Sequence, residues 1–196
     1  MKTNHQEMSS NFHFLLIFVF LISLQPTIST SSSSSSIDLI QKTCKNTKYY
    51  DLCMSSLKSD STSLKADTKG LATIMVKIGM VNATATNKYL SSSKLVFNSS
   101  NYTNDDVVLM KKLLKDCADK YALATNALQD SLQDLNNEVY DYAYMHVMAA
   151  ADYPNVCHNG FKRNPRLNYP PQLAIREDGF KHICDVVLGI LDALGW

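Results

Sequence analysis

The sequence has few of the residues that interrupt regular structure. Its 196 residues include only six glycines and five prolines, so long stretches run without a turn signal. A β-sandwich or β-barrel needs many such turns, and their shortage therefore favours an all-helical fold. The formal net charge is +1, which gives no electrostatic reason to bind nucleic acid or an anionic membrane. We expect no nucleic-acid partner.

The sequence also lacks the short motifs of common catalytic sites. It contains no Gly-x-Ser-x-Gly elbow, no phosphate-binding glycine-rich loop and no His-Glu-x-x-His helix. A hydrolase would need an activated nucleophile, paired carboxylates or a metal ion. We therefore expect no catalytic residue, no cofactor and no metal, and we interpret the chain as a binding protein and not as an enzyme.

An apolar run near the N-terminus is typical of a signal peptide. Residues 14–24 are almost entirely apolar, and small residues around Ser29 offer cleavage positions. The run is too short to span a bilayer as a helix. We predict a signal peptide over 1–29, no membrane span after its cleavage, and a serine-rich flexible leader over 30–36. Secretion also makes three sequons candidates for glycosylation, at Asn82, Asn98 and Asn101.

Apolar residues recur at helical spacing in four long segments. The predicted helices begin near Leu71, Asn104, Val139 and Leu173. The predicted core stripe of the first comprises Leu71, Ile74, Met75, Ile78, Val81 and Ala85. We expect Pro154 to kink or break the third helix, because proline cannot donate a backbone hydrogen bond. The short connections favour an up-down-up-down four-helix bundle over 64–196. Two shorter helical pieces over 37–60 predict a hairpin before the bundle, so a single domain would span 37–196.

Five cysteines in a secreted chain predict disulfide bonds. Cys44 and Cys53 flank the turn of the predicted hairpin, and Cys117 and Cys157 lie on the apolar faces of the second and third bundle helices. A bond within each pair would join neighbouring helices, although the sequence alone leaves fifteen pairings open. Cys184 lies on a buried stripe and is interpreted as a free, unreactive thiol. A disulfide explains Cys157 better than a zinc site shared with its histidine neighbour.

Several tyrosines lie close together at the start of the third bundle helix. Tyr142 and Tyr153 fit the core stripe of that helix. Tyr140 and Tyr144 are four residues apart and are expected on a more exposed side, where tyrosine is a good interface residue. Packing at the edge of the core explains them equally well.

These residues resemble a known family, the plant invertase and pectin methylesterase inhibitors, over about 37–196. The likeness is carried by Thr43-Cys44-Lys45-Asn46-Thr47, Tyr50-Asp51-Leu52-Cys53, Asp67-Thr68-Lys69-Gly70-Leu71, Leu114-Lys115-Asp116-Cys117-Ala118-Asp119-Lys120-Tyr121 and Ala149-Ala150-Ala151-Asp152. The resemblance implies a four-helix bundle preceded by a helical hairpin. It also implies disulfides from the first to the second and from the third to the fourth cysteine. Members cover the active-site cleft of a target enzyme without forming a covalent bond.

The start of the third bundle helix separates the two kinds of inhibitor in this family. Invertase inhibitors carry a Pro-Lys-Phe motif there that enters the invertase active site, whereas this chain has Tyr140-Asp141-Tyr142. Pectin methylesterase inhibitors resemble the chain better, with a tyrosine at the first position and a fifth cysteine in a context like that of Cys184. They often have threonine where this chain has Val156.

The resemblance implies pectin methylesterase as the protein partner and acid invertase as the alternative. An alternative of another class is a carrier of a small apolar ligand or a structural protein. We expect an extracellular location, in the apoplast and cell wall. The enzyme-binding face implied for the second and third bundle helices comprises Asp119, Lys120, Asn126, Tyr140, Asp141, Tyr144, Asp152 and Asn155.

Overall fold

Helices form nearly all of the chain that the computed structural model describes, residues 31–92 and 102–195. The helices are α1 (Ser31–Lys45), α2 (Tyr50–Ser59), α3 (Thr68–Ser91), α4 (Asn104–Asn136), α5 (Tyr140–Lys162) and α6 (Pro171–Asp192), with a 3-10 turn at Ser63–Lys65. The predicted all-helical fold is confirmed. The predicted signal peptide, Asn98 and Asn101 lie outside the described residues. Within those residues no helix is long and apolar enough to cross a membrane.

The long helices begin at residues that satisfy the free backbone N–H groups of a first turn. The Asp67 carboxylate accepts a hydrogen bond from Gly70 N at 2.7 Å before α3. At α4, Thr103 and Asp106 form a capping box in which each side chain accepts from the backbone N–H of the other residue. The Thr103 hydroxyl also donates to Asp106 Oδ2 at 2.8 Å, and this bond, with the one from Thr103 N, holds the pKa of the Asp106 carboxyl below its usual value. Pro171 opens α6, where the missing N–H costs nothing.

Helices α3 to α6 form the four-helix bundle, in which α4 packs on α3 and α5, and α6 packs on the same two helices. Tyr121, Leu128 and Phe180 are among the large side chains that are fully buried at its centre. The predicted core stripe of α3 is wrong at Val81, which is 71% exposed, and at Ala85, which is exposed as well. The buried stripe instead continues at spacings of three and four residues, through Gly79, Ala83, Thr86 and Leu90.

The hairpin consists of α1 and α2, joined by the disulfide Cys44–Cys53 with a Cα–Cα distance of 5.5 Å. Helix α1 begins at Ser31, so the serines of 31–36 belong to a helix where the sequence predicts a flexible leader. Serine is only mildly unfavourable in a helix, and the helix continues through these residues. The hairpin turn lies against α6 at Gly189, where an added Cβ would meet Thr47 Cα at 2.9 Å.

Helix α5 runs unbroken from Tyr140 to Lys162, with Pro154 inside it. Of the predicted kink or break, the break is therefore wrong. Proline removes one backbone hydrogen bond at this point, but its ring is buried in the bundle. The second disulfide, Cys117–Cys157, fixes the following turn of α5 to α4 with a Cα–Cα distance of 4.8 Å. Both predicted disulfides are thus present, and Cys184 is the free buried cysteine.

Candidate enzyme-binding face

The outer side of α5 exposes large apolar side chains. Tyr142, Met145, Met148 and Val156 are 55%, 61%, 53% and 43% exposed. Successive members lie three, three and eight residues apart, so a helix places them on one broad side. We call this side the α5 face, and it comprises Asp141, Tyr142, Met145, Met148, Asp152, Asn155 and Val156. Contiguous exposed apolar surface of this kind marks sites of protein–protein contact.

A groove between α4 and α5 borders one edge of the α5 face. Its volume is about 430 Å³, and its apolar lining includes Leu113, Val156 and the disulfide Cys117–Cys157. The polar lining comprises Asp116, Asp119, Lys120, Arg163 and Asn164. Lys115 and Asp119 form an exposed ion pair at 3.1 Å, which contributes little to stability. The groove therefore offers a partner both charges and an apolar floor.

A second, shallower groove between α5 and α6 borders the other edge. Its lining residues are Met148, Ala151, Asp152, Asn155 and Leu188, around about 310 Å³. The Asn155 side-chain amide donates a hydrogen bond to Asp152 Oδ1 at 2.7 Å. The structure therefore places Asp152 and Asn155 at one groove and the predicted pair Asp119 and Lys120 at the other, with the α5 face between them.

One of the four tyrosines of α5 differs from its predicted position, whereas the other three pack against the core, as predicted for Tyr153 and as one of the two alternatives for Tyr140 and Tyr144. Tyr142, predicted in the core, is exposed, whereas Tyr140 and Tyr144 are half-buried and pack against the core, and Tyr153 is half-buried as well. The residues of α5 that point inward are Ala143, Val147, Ala150, Pro154, Cys157 and Phe161. This stripe turns Tyr142 outward. The remaining predicted contact residues, Asn126 and Asp141, are exposed.

An acidic residue replaces lysine in the first turn of α5. The Asp141 carboxylate accepts a hydrogen bond from Tyr142 N at 2.9 Å, and a negative charge is favourable at a helix N-terminus. The preceding turn contains Glu138 in the left-handed region, with φ 60°. Lys69 of α3 holds Glu138 through an ion pair at 2.8 Å. A cation is thus present near this end of α5, although it comes from another helix.

A buried carboxylate lies beneath the α5–α6 groove, and sequence analysis did not identify it. The Glu177 side chain is 6% exposed and lies 2.5 Å from Lys181 Nζ and 3.4 Å from His158 Nδ1. The Tyr169 hydroxyl donates a hydrogen bond to Glu177 Oε2 at 2.5 Å. Burial and this bond to Glu177 raise the pKa of Tyr169 well above its usual value. Only the i, i+4 spacing of Glu177 and Lys181 was visible in the sequence, and such pairs usually lie on a solvated surface.

Two further candidate groups, His146 and Asn82, have different surroundings. His146 Nδ1 lies 2.7 Å from Asp134 Oδ2, so this imidazole is paired with a carboxylate of α4. Asn82 lies inside α3, with its side-chain oxygen buried, a poor setting for a glycan acceptor. Among residues 31–92 and 102–195, no group of three His, Cys, Asp or Glu side chains could hold a metal ion.

Comparison with known proteins gives the family. Residues 38–190 match the description "Plant invertase/pectin methylesterase inhibitor". The chain belongs to this family. It is therefore an inhibitor protein and not an enzyme, and its partner is an enzyme.

Individual family members resemble the chain to different degrees. It is 50% identical to "Cell wall / vacuolar inhibitor of fructosidase 2" of Arabidopsis thaliana, over 91% of this chain and 97% of that protein. It is 35% identical to "Pectinesterase inhibitor 28" of Oryza sativa subsp. japonica, over 80% and 69%. The crystal structure of mutant form A of a pectin methylesterase inhibitor from Arabidopsis matches with a TM-score of 0.58 and 21% identity, over 76% of this chain and 92% of that one. This last likeness supports the fold.

Proposed function

We propose that this inhibitor acts on a fructosidase of the cell wall or the vacuole, the class to which acid invertase belongs. The observation that carries this proposal is the 50% identity to the fructosidase inhibitor of Arabidopsis, over nearly the full length of both chains. Fewer than half of the described residues are buried. An identity of this size therefore extends beyond the buried core, towards the surface on which a target enzyme would be recognised.

The α5 face is the surface that we propose for binding the enzyme. It combines exposed apolar side chains at its centre with charged and amide groups at the two grooves, the usual arrangement of a protein–protein interface. The disulfides and Cys184 are buried, so they offer no group for covalent attack on the target. Inhibition then follows from occlusion, because an α5 face seated on the active-site cleft excludes the substrate.

Pectin methylesterase is the second candidate target. It is favoured by Tyr140-Asp141-Tyr142, which lacks the lysine of the Pro-Lys-Phe motif, and by the 35% identity to a pectinesterase inhibitor of rice. A lysine and an aspartate at the same point of α5 would present opposite charges to a cleft. If the chain binds a fructosidase, its apolar contacts from Tyr142 and Met145 take the place of that lysine.

We further propose that residues 1–29 direct the chain into the secretory pathway as a signal peptide. The destination would then be the cell wall or the vacuole. Two buried disulfides support this proposal, because they form and persist in oxidising compartments and are rare in the cytosol.

The test is a titration of purified acid invertase and pectin methylesterase with the oxidised mature protein. We expect stoichiometric loss of invertase activity. Replacing Met148 by aspartate should raise the inhibition constant at least about tenfold, because a charge would be buried without a partner at the interface. The matched control is Val81→Asp, at an exposed apolar residue on α3, which should change the constant by less than about twofold.

Each outcome distinguishes the candidates. If only pectin methylesterase loses activity, the target is pectin methylesterase and not a fructosidase. If both enzymes keep full activity at excess inhibitor, the proposed function is wrong for both targets. If Val81→Asp weakens inhibition as much as Met148→Asp, the inhibitor does not bind through the α5 face.

A further inference from the structure

A line of hydrogen bonds connects the buried Glu177 carboxylate to the α5 face. Lys181 Nζ lies 2.5 Å from Glu177 Oε1 and donates to Asn155 Oδ1 at 2.6 Å. The amide of Asn155 then donates to Asp152 Oδ1 at 2.7 Å. Asp152 and Asn155 are exposed on α5, whereas Glu177 and Lys181 belong to α6. The line therefore starts in the interior and ends at two residues of the proposed interface.

The donors and acceptors of each group determine how the next side chain in the line is oriented. An ammonium group has donors only, so Lys181 must be met by the oxygen of the Asn155 amide. The NH₂ end of that amide is then turned towards Asp152, where it meets a carboxylate oxygen. Lys181 is itself held in place, because Glu177 is buried and its second oxygen accepts from the Tyr169 hydroxyl. A free surface asparagine would instead sample both amide orientations.

We propose that Lys181 is a positioning residue for inhibition, which holds Asn155 and Asp152 in the orientation that the target enzyme meets. This inference rests on the proposed function, namely that the α5 face binds the enzyme, and it applies to either target. Fixing the two side chains before the encounter lowers the ordering cost of association. Lys181 thus contributes to affinity through Asn155, and the proposal assigns it no contact of its own with the enzyme.

A double-mutant cycle on the full mature protein tests this inference. The variants are Lys181→Met, Asn155→Ala and the double variant, with inhibition constants measured against the enzyme that the wild type inhibits. We expect each single change to raise the inhibition constant about five- to tenfold. The constant of the double variant should exceed the higher of the two single-variant constants by no more than about twofold. The matched control is Lys88→Met, an exposed lysine in the last turn of α3, which should have no effect.

A second variant avoids disturbing the interior. Lys181→Met leaves a buried carboxylate without its ammonium and endangers folding. Asn155→Asp keeps an acceptor for Lys181 but brings a second carboxylate against Asp152. It should leave the thermal midpoint within about 2 °C of wild type and weaken inhibition at least as much as Asn155→Ala.

The outcomes separate the inference from the function on which it rests. Fully additive effects of Lys181→Met and Asn155→Ala would overturn the inference, because Lys181 would then act independently of Asn155. Wild-type inhibition by a folded Asn155→Asp protein would overturn it as well. If the wild type inhibits neither enzyme, that single curve refutes the proposed function, and the role of Lys181 in binding falls with it.

Discussion

Two glycines of α6 should respond in opposite ways to the same substitution. An alanine in a helix interior is more favourable than glycine by about 1 kcal/mol. An added Cβ at Gly179 meets no atom within 4 Å, so Gly179→Ala should gain this free energy in full. At Gly189 the Cβ would lie 2.9 Å from Thr47 Cα and 3.0 Å from Asn46 O. Both are backbone atoms of the hairpin turn.

The turn has little freedom to move away from α6. The Cys44–Cys53 disulfide closes it, and the Thr47 hydroxyl donates to Cys44 O at 2.8 Å. Overpacking costs about 1–3 kcal/mol, and the upper end of this range applies to an obstacle made of constrained backbone. After the gain in helix propensity, Gly189→Ala should lose about 2 kcal/mol.

The expected shifts are large enough to measure by thermal unfolding. In a domain of this size 1 kcal/mol moves the midpoint by about 2–4 °C. Circular dichroism at 222 nm should show Gly179→Ala melting about 2–4 °C above the wild type and Gly189→Ala about 4–8 °C below it. A Gly189→Ala protein that melts above the wild type would refute the close packing of the hairpin turn on α6.

Three further predictions concern the interior. Tyr169→Phe removes a donor to the buried Glu177 carboxylate, and bonds to charged groups contribute about 1.5–3 kcal/mol, so urea unfolding should show a loss of about 2 kcal/mol. Replacing Cys117 and Cys157 by alanine opens a loop of sequence separation 40 and should cost about 4 kcal/mol in the same assay. Burial raises the pKa of Cys184 to about 12, so the native protein should resist iodoacetamide at pH 8 and react in denaturant. Because the folded pKa lies above the unfolded value, the contribution of Cys184 to stability is complete below about pH 9 and is lost as the pH rises towards 12.

Each of these predictions has a control within the chain. The bond that the Tyr102 hydroxyl accepts from Asn168 N is long, at 3.4 Å, so Tyr102→Phe should cost less than about 1 kcal/mol. An equal effect of the two tyrosines would contradict the role of Tyr169. Opening the shorter Cys44–Cys53 loop should cost about 3 kcal/mol, less than the longer one. Equal labelling of Cys184 in native and denatured protein would show that the thiol is accessible.

The helices followed from apolar spacing, which is a local pattern in the sequence. The disulfide pairing did not follow from the sequence alone: it rested on the placement of each cysteine pair on neighbouring helices and on the family resemblance. The stripe of α3 was misassigned at Val81, because apolar residues at adjacent helical positions fit two different faces. Only the packing on α4 and α6 selects the face that contains Gly79.

The surface of α5 and the interior beneath it required the structure. Tyr142 fits a core stripe by spacing alone, and its outward position depends on which neighbouring residues of α5 meet α4 and α6. Glu177 and Lys181 look like an ordinary exposed pair in sequence. Glu177 is buried beside Tyr169, whose hydroxyl the proline-containing segment before α6 brings to the carboxylate, and that tertiary contact leaves no periodic signal.

The connection between α4 and α5 has a consequence for the kinetics of binding. The turn before Tyr140 joins the two helices at one end, and the disulfide Cys117–Cys157 joins them further along. At about 1.5 Å per residue, Cys117 lies roughly 30 Å from the end of α4 at Asn136. The exposed side chains from Asp141 to Val156 lie between these two attachments, so the pair can neither splay nor slide when an enzyme docks. A recognition surface of this rigidity favours a long residence time, because little conformational freedom is regained on dissociation.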